Sequence, residues 1–544
     1  MAGKDLMSFR GERHILVNEV AVLRLPPLRD NPLRSAVSDA DQLVPAAPPL
    51  VEPAAQLHAK PEKDGLPDEV LLAILGNFKG DKRTLNTLSR ASKRLNDVAQ
   101  EVIYGSITLD GRTSALIAAL GRTLLDRSHL ASRTRHLALS LAVQRYVSFG
   151  IGYVAAKEGS SELSIAATKE KAVSHLLRTY GITNSSHNPH CRTYRAVTRW
   201  RHAIEQQRRA AYAGLLLTIF PNLVDLELLI YRTEEDDEEY HCLHALLATS
   251  RAAKDLVHLD TGFKGLRTVK RLKTLLGNLD ILNLPFDSLE RLELEVGPIR
   301  QYDGAPENFL INIRSSLGQR YSGLKDLVLY GYCSLHPWRD IDPIVRAIGS
   351  YNIINFEYYL KHNVPAGPTG SLRGFRHLLA AIRPLESRLE HLKLDVHYAE
   401  SSFNLKWLEG IQGATTFTNF THLRSLKVLQ AVIVYPAYGG YHPKMMPALC
   451  FPRSLESFTI ICPNPTTVNW LRNLGDAKEV LPRLQEIVLS CRTICGEQAP
   501  QLSGWQLASH KLRARGVQWQ LCRTERSSET PRRGKWSIFG MMDA

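Results

Sequence analysis

Histidine and cysteine side chains lie close together in one stretch of the chain, where they could bind zinc. The stretch contains His187, His190, Cys191 and His202. Structural zinc sites usually take their ligands in two closely spaced pairs. The separations of three, one and eleven residues do not fit two such pairs, and no second cysteine lies nearby. We therefore expect scattered surface histidines, with no metal and no other cofactor.

The chain also lacks the short motifs of the common enzyme classes. It contains no phosphate-binding glycine loop, no dinucleotide-binding glycine motif after a strand, no serine elbow and no zinc-protease histidine pair. No stretch places a nucleophile, a base and an orienting group in one local arrangement. The sequence predicts a protein that is not an enzyme.

Charged residues recur at alternate positions of short leucine-rich segments, such as the one built on Leu289, Leu292 and Leu294. Successive side chains of a strand point to opposite faces, so the residues between the leucines share the face away from the core. In the first five segments Arg291 is the single cation at these positions. The carboxylates there are Asp225, Glu227, Asp260, Glu293, Glu295, Asp326 and Glu357.

This acidic face predicts a protein target with a basic segment, and it disfavours nucleic acid as a partner. From the sixth segment onward the same positions are mixed, as in His391, Lys393 and Asp395. The alternative is that these strand positions are polar only because they face solvent.

The leucine-rich segments repeat at an almost constant interval of 29–36 residues. Their first residues are Leu223, Leu256, Leu289, Leu324, Ile353, Leu389, Leu423, Leu455 and Leu484. This interval has room for a strand and a helix of about 10–15 residues. Each such unit buries its leucines by stacking on its neighbours. The sequence therefore predicts an α/β fold in which parallel strands alternate with helices.

A pair of helices is predicted before the repeats, in residues 66–104. Pro67 suits the first turn of a helix, and Asp68 and Glu69 suit the positive end of its dipole. Asp81, after Gly80, ends the first helix and caps the second. The apolar residues of the first helix recur at helical spacing: Val70, Leu71, Ile74, Leu75 and Phe78. So short a segment has a small core, and its remaining apolar surface predicts a partner.

The order of these residues resembles an F-box. The matching motifs are Leu66-Pro67-Asp68-Glu69, Ile74-Leu75, Leu85 with Leu88-Ser89, and Ser92-Lys93-Arg94. With its repeats, the chain is similar to the F-box proteins with C-terminal leucine-rich repeats that are abundant in filamentous fungi. The resemblance implies a short N-terminal helical F-box followed by an irregular leucine-rich-repeat solenoid, with parallel strands on the concave face and helices on the convex face. One departure is Leu95, where many members have Trp.

The resemblance also implies a function. Such a chain is the substrate-recognition subunit of a Skp–cullin–F-box ubiquitin ligase, and it takes part in ubiquitin-dependent protein degradation. The F-box binds the Skp-family adaptor, and through it a cullin, while the repeats bind a protein target. The alternative is a non-degradative scaffold for protein–protein interaction. The residues that the resemblance assigns to the adaptor are Leu66, Pro67, Val70, Leu71, Ile74, Leu75, Leu85, Leu88 and Leu95.

Composition limits the compartment and the organisation of the 544 residues. We see no secretory signal and no membrane-spanning stretch, and the eight cysteines show no tight regular spacing, so we expect a cytoplasmic or nuclear protein. The net charge of +14 is concentrated partly near the C-terminus. The predicted regions are a disordered proline-rich region 1–62, the F-box 63–104, an approach to the repeats with an irregular insertion 105–222, the repeats 223–510, and a basic flexible tail 511–544.

Overall fold

The structure, a computed structural model, describes parts of the chain between Leu66 and Thr524. The described residues are 66–78, 81–110, 114–143, 162–182, 192–206, 208–232, 246, 262–295, 321–332, 341, 344–346, 348, 352–361, 375–397, 416–433, 435–437, 440–442, 450–463, 465–476, 479, 481–492 and 502–524. The predicted disordered region 1–62 and the predicted site residue Asp260 lie outside them.

Twelve parallel strands form one sheet in chain order, β1 to β9 followed by β12, β13 and β14. The short strands β10 and β11 form a separate antiparallel pair. The strands are β1 Ser106–Asp110, β2 His136–Val143, β3 Asp225–Arg232, β4 Arg271–Leu275, β5 Arg291–Glu295, β6 Asp326–Tyr332, β7 Asn355–Lys361, β8 His391–His397, β9 Ser425–Leu429, β10 Tyr435–Ala437, β11 Gly440–His442, β12 Ser457–Ile461, β13 Glu486–Arg492 and β14 Gln518–Thr524.

Helices precede the sheet and connect its strands. The α-helices are α1 Asp68–Gly76, α2 Lys82–Ala91, α3 Lys93–Gly105, α4 Ser114–Asp126, α5 Ser128–Arg133, α6 Glu162–Thr179, α7 Arg192–Glu205, α8 Arg209–Ile219, α9 Phe375–Ala381, α10 Gln430–Ile433, α11 Pro465–Asp476 and α12 Leu502–Ala514. Short 3₁₀ helices cover Lys264–Thr268, Leu276–Asn283 and Arg383–Leu385. The fold is therefore mixed α/β with a large, all-parallel sheet, as the repeat interval predicted.

The leucines of the repeat pattern are buried on one face of the sheet, where they form part of the main hydrophobic core. The strand register places Leu272, Leu292 and Leu327 side by side, and all three are fully buried. Eight of the nine predicted segments lead into strands at the expected positions. Burial of one such leucine contributes about 1.5–3 kcal/mol, so a continuous row of them stabilises the stack of strands.

The remaining segment, which begins at Leu256, lies outside the described residues. The sequence favoured a strand after Leu256, but the strand between β3 and β5 is β4, Arg271–Leu275. In β4 the third core position is held by Thr274, whose hydroxyl is buried without a hydrogen-bond partner. Because this position holds threonine, the apolar spacing used in the sequence analysis does not identify β4. The spacing of this strand also differs from the repeat interval, since β4 begins 46 residues after the start of β3 (225 to 271) and β5 begins 20 residues after the start of β4 (271 to 291).

The predicted insertion contains three helices, α6, α7 and α8, between β2 and β3. Their centre is Trp200 of α7, which is completely buried and donates from Nε1 to the Ala211 carbonyl at 3.0 Å. The Trp200 ring stacks on Phe263 with centroids 6.1 Å apart. The insertion therefore belongs to the main hydrophobic core, where it supplies the packing that shorter connections supply elsewhere.

The predicted flexible tail from residue 511 is also corrected in its first part. Helix α12 continues to Ala514, and β14 adds a twelfth strand to the sheet by pairing with β13. Leu512 and Val517 are buried among the basic residues, and Trp519 packs against the core. The sequence analysis judged this segment by its basic residues and did not consider the spacing of its apolar residues. Residues 525–544 lie outside the described part of the chain.

Among the described helices, none combines the length and the apolar character that a membrane-spanning helix needs.

Candidate functional site

Helices α1, α2 and α3 form a small unit before the sheet, and their ends match the capping signals in the sequence. Asp81 caps α2, since its carboxylate accepts from the Thr84 backbone N–H at 3.1 Å and from the Thr84 hydroxyl at 2.6 Å. Ser92 caps α3 by accepting from the Leu95 N–H at 3.1 Å. Hydrogen bonding by Thr84 lowers the pKa of the Asp81 carboxyl. The predicted cap at Asp81 is confirmed, while the first helix ends earlier than predicted, at Gly76.

The unit has very few buried side chains of its own. Its core consists of Leu75, Leu85, Val98 and Ala99, with a few half-buried neighbours around them. Helix α1 is also held to α3 by an ion pair between Asp68 Oδ1 and Arg94 Nε at 2.7 Å. On α3, Ile103 packs against both this small core and the main core, so the unit is attached to the sheet domain.

Helix α1 and its flanking residues expose a stripe of large apolar side chains. Leu66, Val70, Ile74 and Phe78 are 54%, 41%, 43% and 39% exposed. Val70 and Ile74 are four residues apart and are therefore neighbours on the surface of α1, while Leu66 precedes the helix and Phe78 follows it. We call these four residues the α1 stripe. Among the described residues the only other large hydrophobic side chain with comparable exposure is Leu521 of β14. A contiguous apolar surface of this kind marks an interaction site.

The structure divides the residues that were predicted to hold the adaptor. Leu66, Pro67, Val70 and Ile74 are exposed, while Leu71, Leu88 and Leu95 are half-buried. Leu75 and Leu85 were wrongly predicted as contact residues, because they are 3% and 1% exposed in the small core. Phe78 was missing from the prediction. Its spacing of four from Ile74 was the signal that could have found it.

The predicted acidic residues that the structure describes do share one face of the sheet, which we call the charged face. The register places Glu227 of β3 beside Lys273 of β4, and Lys273 beside Glu293 of β5. Neighbouring strands are about 4.8 Å apart, so charged side chains on adjacent strands can reach one another. Strand β4, which the sequence analysis did not predict, thus places the cations Arg271 and Lys273 between the acidic residues of β3 and β5.

Three cations of the charged face each serve several carboxylates. Lys273 Nζ lies 3.4 Å from Glu227 Oε1 and 3.9 Å from Glu295 Oε2. Arg291 Nε lies 2.8 Å from Glu293 Oε1, and its Nη1 lies 3.3 Å from Glu357 Oε1. These side chains are between 12% and 29% exposed, so their charges are well shielded from solvent.

The remaining pairs complete this arrangement. Arg291 Nη1 is 3.8 Å from Asp326 Oδ2, and Lys393 Nζ is 3.5 Å from Glu357 Oε2. At the β3 side, Asp225 accepts from the Arg271 guanidinium and pairs with the His136 ring. Every predicted acidic residue that the structure describes is therefore in an ion pair.

Two tyrosines lie at the centre of the charged face. Tyr330 and Tyr359 stack with ring centroids 5.0 Å apart and an interplanar angle of 14°. The Tyr330 hydroxyl donates to Glu293 Oε2 at 3.2 Å, and the Tyr359 hydroxyl donates to Glu357 Oε2. Lys393 Nζ lies 4.5 Å from the centroid of the Tyr359 ring. The rings thus connect the ion pairs into one network.

The network affects the acidity of its members. Burial raises the pKa of the Glu357 carboxyl, but the Tyr359 hydroxyl, Lys393 and Arg291 outweigh it, so the net pKa lies below the ordinary value. Burial and the nearby Glu293 raise the pKa of Tyr330. The Glu357 carboxylate therefore stays ionised near neutral pH, and the Tyr330 phenol stays protonated.

The expectation of an open acidic surface is corrected by this geometry. In the first five segments the sequence analysis counted Arg291 as the only cation, whereas Arg271 and Lys273 of β4 also lie on this face. The carboxylates are neutralised within the chain, so the charge of this face no longer favours a basic target segment.

No protein-family model matches the chain, and no curated protein matches it either. The assignment of function therefore depends on the geometry of the described residues. Within those residues, no group of three or more histidine, cysteine or acidic side chains is placed to hold a metal ion. The described residues offer two features for a functional proposal, the exposed apolar residues of the α1 stripe and the paired charges of the charged face.

Proposed function

We propose that the chain is the substrate-recognition subunit of a Skp–cullin–F-box ubiquitin ligase. Helices α1 to α3 would be an F-box that binds the Skp-family adaptor through the α1 stripe. The sheet and its helices would be an irregular leucine-rich-repeat solenoid that holds a protein target. The protein would act by proximity, since the adaptor fixes one end of it and another enzyme delivers ubiquitin.

The observation that carries this proposal is the α1 stripe. A helical unit with only four fully buried hydrophobic side chains gains little stability from its own core. It nevertheless exposes four large apolar residues at one helical spacing, and water contact makes this costly unless a partner covers them. The order of α1, α2 and α3 and their two caps support the same assignment.

Co-purification with a Skp-family adaptor tests the proposal. The variant is Val70→Glu with Ile74→Glu, because both side chains are exposed and a helix tolerates glutamate. Burying two unpaired carboxylates in an apolar interface costs at least about 3 kcal/mol, so we expect binding to weaken more than about 100-fold. The matched control is Ala73→Glu, which adds a charge to an exposed position of α1 outside the stripe.

We expect the control variant to bind the adaptor as the unmodified chain does. Adaptor binding that is absent from the unmodified chain, or equal in the stripe variant, would refute the assignment. Circular dichroism of each variant distinguishes loss of the interface from loss of the fold.

A non-degradative scaffold is the second candidate function. It is favoured by the charged face, whose carboxylates Glu227, Glu293 and Glu357 are already paired with cations of the same chain. Such a scaffold can be bound to the adaptor or free of it, so adaptor binding alone does not separate the two candidates. They differ in whether ubiquitin is attached to proteins that co-purify with the chain, and mass spectrometry of ubiquitylated lysines in those proteins distinguishes them.

A further inference from the structure

Strand β14 has one edge that no described strand covers. The strand order of the sheet ends at β14, which pairs with β13 on one side. Among the described residues, no strand lies along its other side, which we call the outer edge. The Gln518 N–H donates to the Gln485 carbonyl at 2.8 Å, on the side of β13. Backbone N–H groups alternate between the two edges of a strand, so those of Trp519 and Leu521 point to the outer edge.

The same strand leaves a core position uncovered. The register places Trp519 beside Ile487 and Leu521 beside Leu489, so both residues of β14 belong to the buried face of the sheet. Ile487 and Leu489 are completely buried, whereas Leu521 is 44% exposed. In a repeat array each strand buries its leucines against the next unit. Leu521 is exposed because no described unit follows it.

The first strand of the sheet differs in this respect. Ile107 and Leu109 of β1 lie on the same face as the buried leucines of β2. Ile107 is 9% exposed and Leu109 is half-buried, so both are better covered than Leu521. Helix α3 leads directly into β1, and its Ile103 packs against the main core. The helical unit thus adds apolar cover at this end, whereas no described element does so beyond β14.

An open end of this kind calls for a specific type of cover. Repeat arrays need capping units at their ends, since an open end exposes core side chains to water. An edge strand with free N–H and C=O groups also pairs readily with another strand. The cover of β14 therefore has to supply a strand-forming backbone together with apolar side chains that reach Leu521.

The chain beyond β14 contains one segment with this composition. Residues 536–542 read Trp-Ser-Ile-Phe-Gly-Met-Met, in which five of the seven residues are large and apolar. Tryptophan, isoleucine and phenylalanine are enriched in strands. Seven residues are also the length of β14, which corresponds to about 23 Å of extended chain. Trp536 and Ile538 are two residues apart, so in a strand they would lie on one face.

The connection is long enough for this segment to return to β14. Residues 525–535 are eleven residues that are polar or charged apart from Pro531 and Gly534. Eleven extended residues span up to about 36–40 Å, which exceeds the length of β14. Proline and glycine favour a turn in the connection, and proline cannot donate to a strand ladder. A direct return would place residues 536–542 antiparallel to β14.

We propose that residues 536–542 dock on the outer edge of β14 as a further strand of the sheet and cover Leu521. The N–H groups of Trp519 and Leu521 donate to carbonyls of this segment, and Trp536 and Ile538 extend the row of core side chains. The segment closes the end of the array within one chain and keeps the outer edge from pairing with other molecules. This inference goes beyond the proposed function and does not depend on the adaptor.

Hydrogen–deuterium exchange of the full chain, read residue by residue by mass spectrometry, tests the inference. We expect the Trp519 and Leu521 amides to be protected, because N–H groups that are paired in a sheet exchange slowly. In the variant Ile538→Asp with Phe539→Asp, these two amides should exchange at least about tenfold faster, because charges on the segment oppose its burial. The Gln518 amide, which donates toward β13, is the internal reference and should change less than about twofold.

The matched control is Ser527→Asp with Ser528→Asp, which adds the same two charges to the connection before the segment. Its Trp519 and Leu521 amides should exchange as slowly as those of the unmodified chain. If the double variant of the segment also loses protection at Gln518, the milder variant Ile538→Ser carries the same test, with an expected acceleration of at least about threefold.

Two results would overturn the inference. The first is rapid exchange of the Trp519 and Leu521 amides in the unmodified chain, or slow exchange that the variants of the segment leave unchanged. The second is protection that disappears on dilution together with a dimer in analytical ultracentrifugation, which would assign the outer edge to a second copy of the chain.

Discussion

The charged face of the sheet and the exposed side of α7 are both rich in ionised residues, yet their charges are arranged in different ways. On the charged face, Lys273, Arg291 and Lys393 each lie within 4.0 Å of at least two carboxylates. On α7, Arg201 donates from Nε to Glu205, the single acidic residue of the helix, while Arg199 is exposed on the same helix.

The difference follows from the geometry of the two elements. A parallel sheet brings residues from distant repeats within about 5 Å of each other, so charges that are far apart in sequence can neutralise one another. The exposed side of a helix offers only neighbours three or four residues away. A helix with one acidic residue therefore has few partners of opposite charge on its own surface. A cluster of charged residues in the sequence therefore indicates a binding surface only if those residues do not form ion pairs with one another in the folded protein.

The largest contrast is expected from the removal of one cation on each surface. Arg291→Met leaves Glu293, Asp326 and Glu357 half-buried without their shared partner, and we expect it to lower the free energy of unfolding by about 3 kcal/mol. Arg199→Met on α7 should change it by less than about 0.5 kcal/mol. Urea denaturation measures both values. Equal effects would show that the two surfaces do not differ.

A charge exchange sharpens the comparison. Lys273→Glu brings a third carboxylate beside Glu227 and Glu295, and we expect a loss of about 2 kcal/mol. Adding Glu227→Lys to the same chain should restore about half of that loss, since an opposite pair forms again. On α7, Arg199→Glu should not destabilise the chain. A double variant that is less stable than Lys273→Glu alone would argue against direct pairing.

Acid should weaken the charged face selectively. The folded-state pKa of Glu357 lies below its ordinary value of 4.5, because the lowering by Tyr359, Lys393 and Arg291 exceeds the raising by burial. The stability from this group is therefore fully present above the unfolded-state pKa and is lost as the pH falls through the folded-state pKa. In denaturation curves measured below pH 4.5, the variant Glu357→Gln should show a shallower decline than the unmodified chain. Parallel acid curves for the two chains would contradict this cause.

A change in salt concentration should also distinguish the two surfaces. Its expected effect on the free energy of unfolding is the smallest among these predictions. An increase from about 0.1 M to about 1 M NaCl shortens the Debye length from ~10 Å to ~3 Å, which screens exposed charges more than half-buried ones. We expect the unfolding free energy to change by less than about 0.5 kcal/mol through the charged face. The destabilisation by Arg291→Met should therefore be almost equal at the two salt concentrations, whereas the exposed pair of Arg201 and Glu205 on α7 should lose most of its small contribution. Urea denaturation in both buffers measures this, and a destabilisation by Arg291→Met that disappears in about 1 M NaCl would contradict it.

Local patterns of the sequence predicted the secondary structure well. The caps at Asp81 and Ser92 depend on side chains within three residues, and they form where the sequence indicated. The leucine spacing identified eight strands, because a strand with one buried face has a period of two. The pattern failed at β4, where Thr274 fills a core position that leucine or a similar residue fills elsewhere.

The candidate surfaces were predicted less well, for a different reason. Residues 70, 71, 74 and 75 all fit one apolar helix pattern, but only the structure shows that Leu75 faces the small core while Val70 and Ile74 face solvent. That choice depends on which side α3 covers. Likewise, Trp519 of β14 packs against the core although its neighbours in sequence are polar or basic.

The sequence by itself determined the class of this protein: a repeating α/β chain with a capped helical unit in front, no recognised enzyme motif and an excess of positive charge. These properties depend on spacing, capping and composition, which act over a few residues. The tertiary structure alone decided which charges are paired, because pairing across strands depends on a register that joins distant segments. It therefore showed that the acidic residues of the sheet, which the sequence alone had presented as exposed negative charge, are paired within the chain.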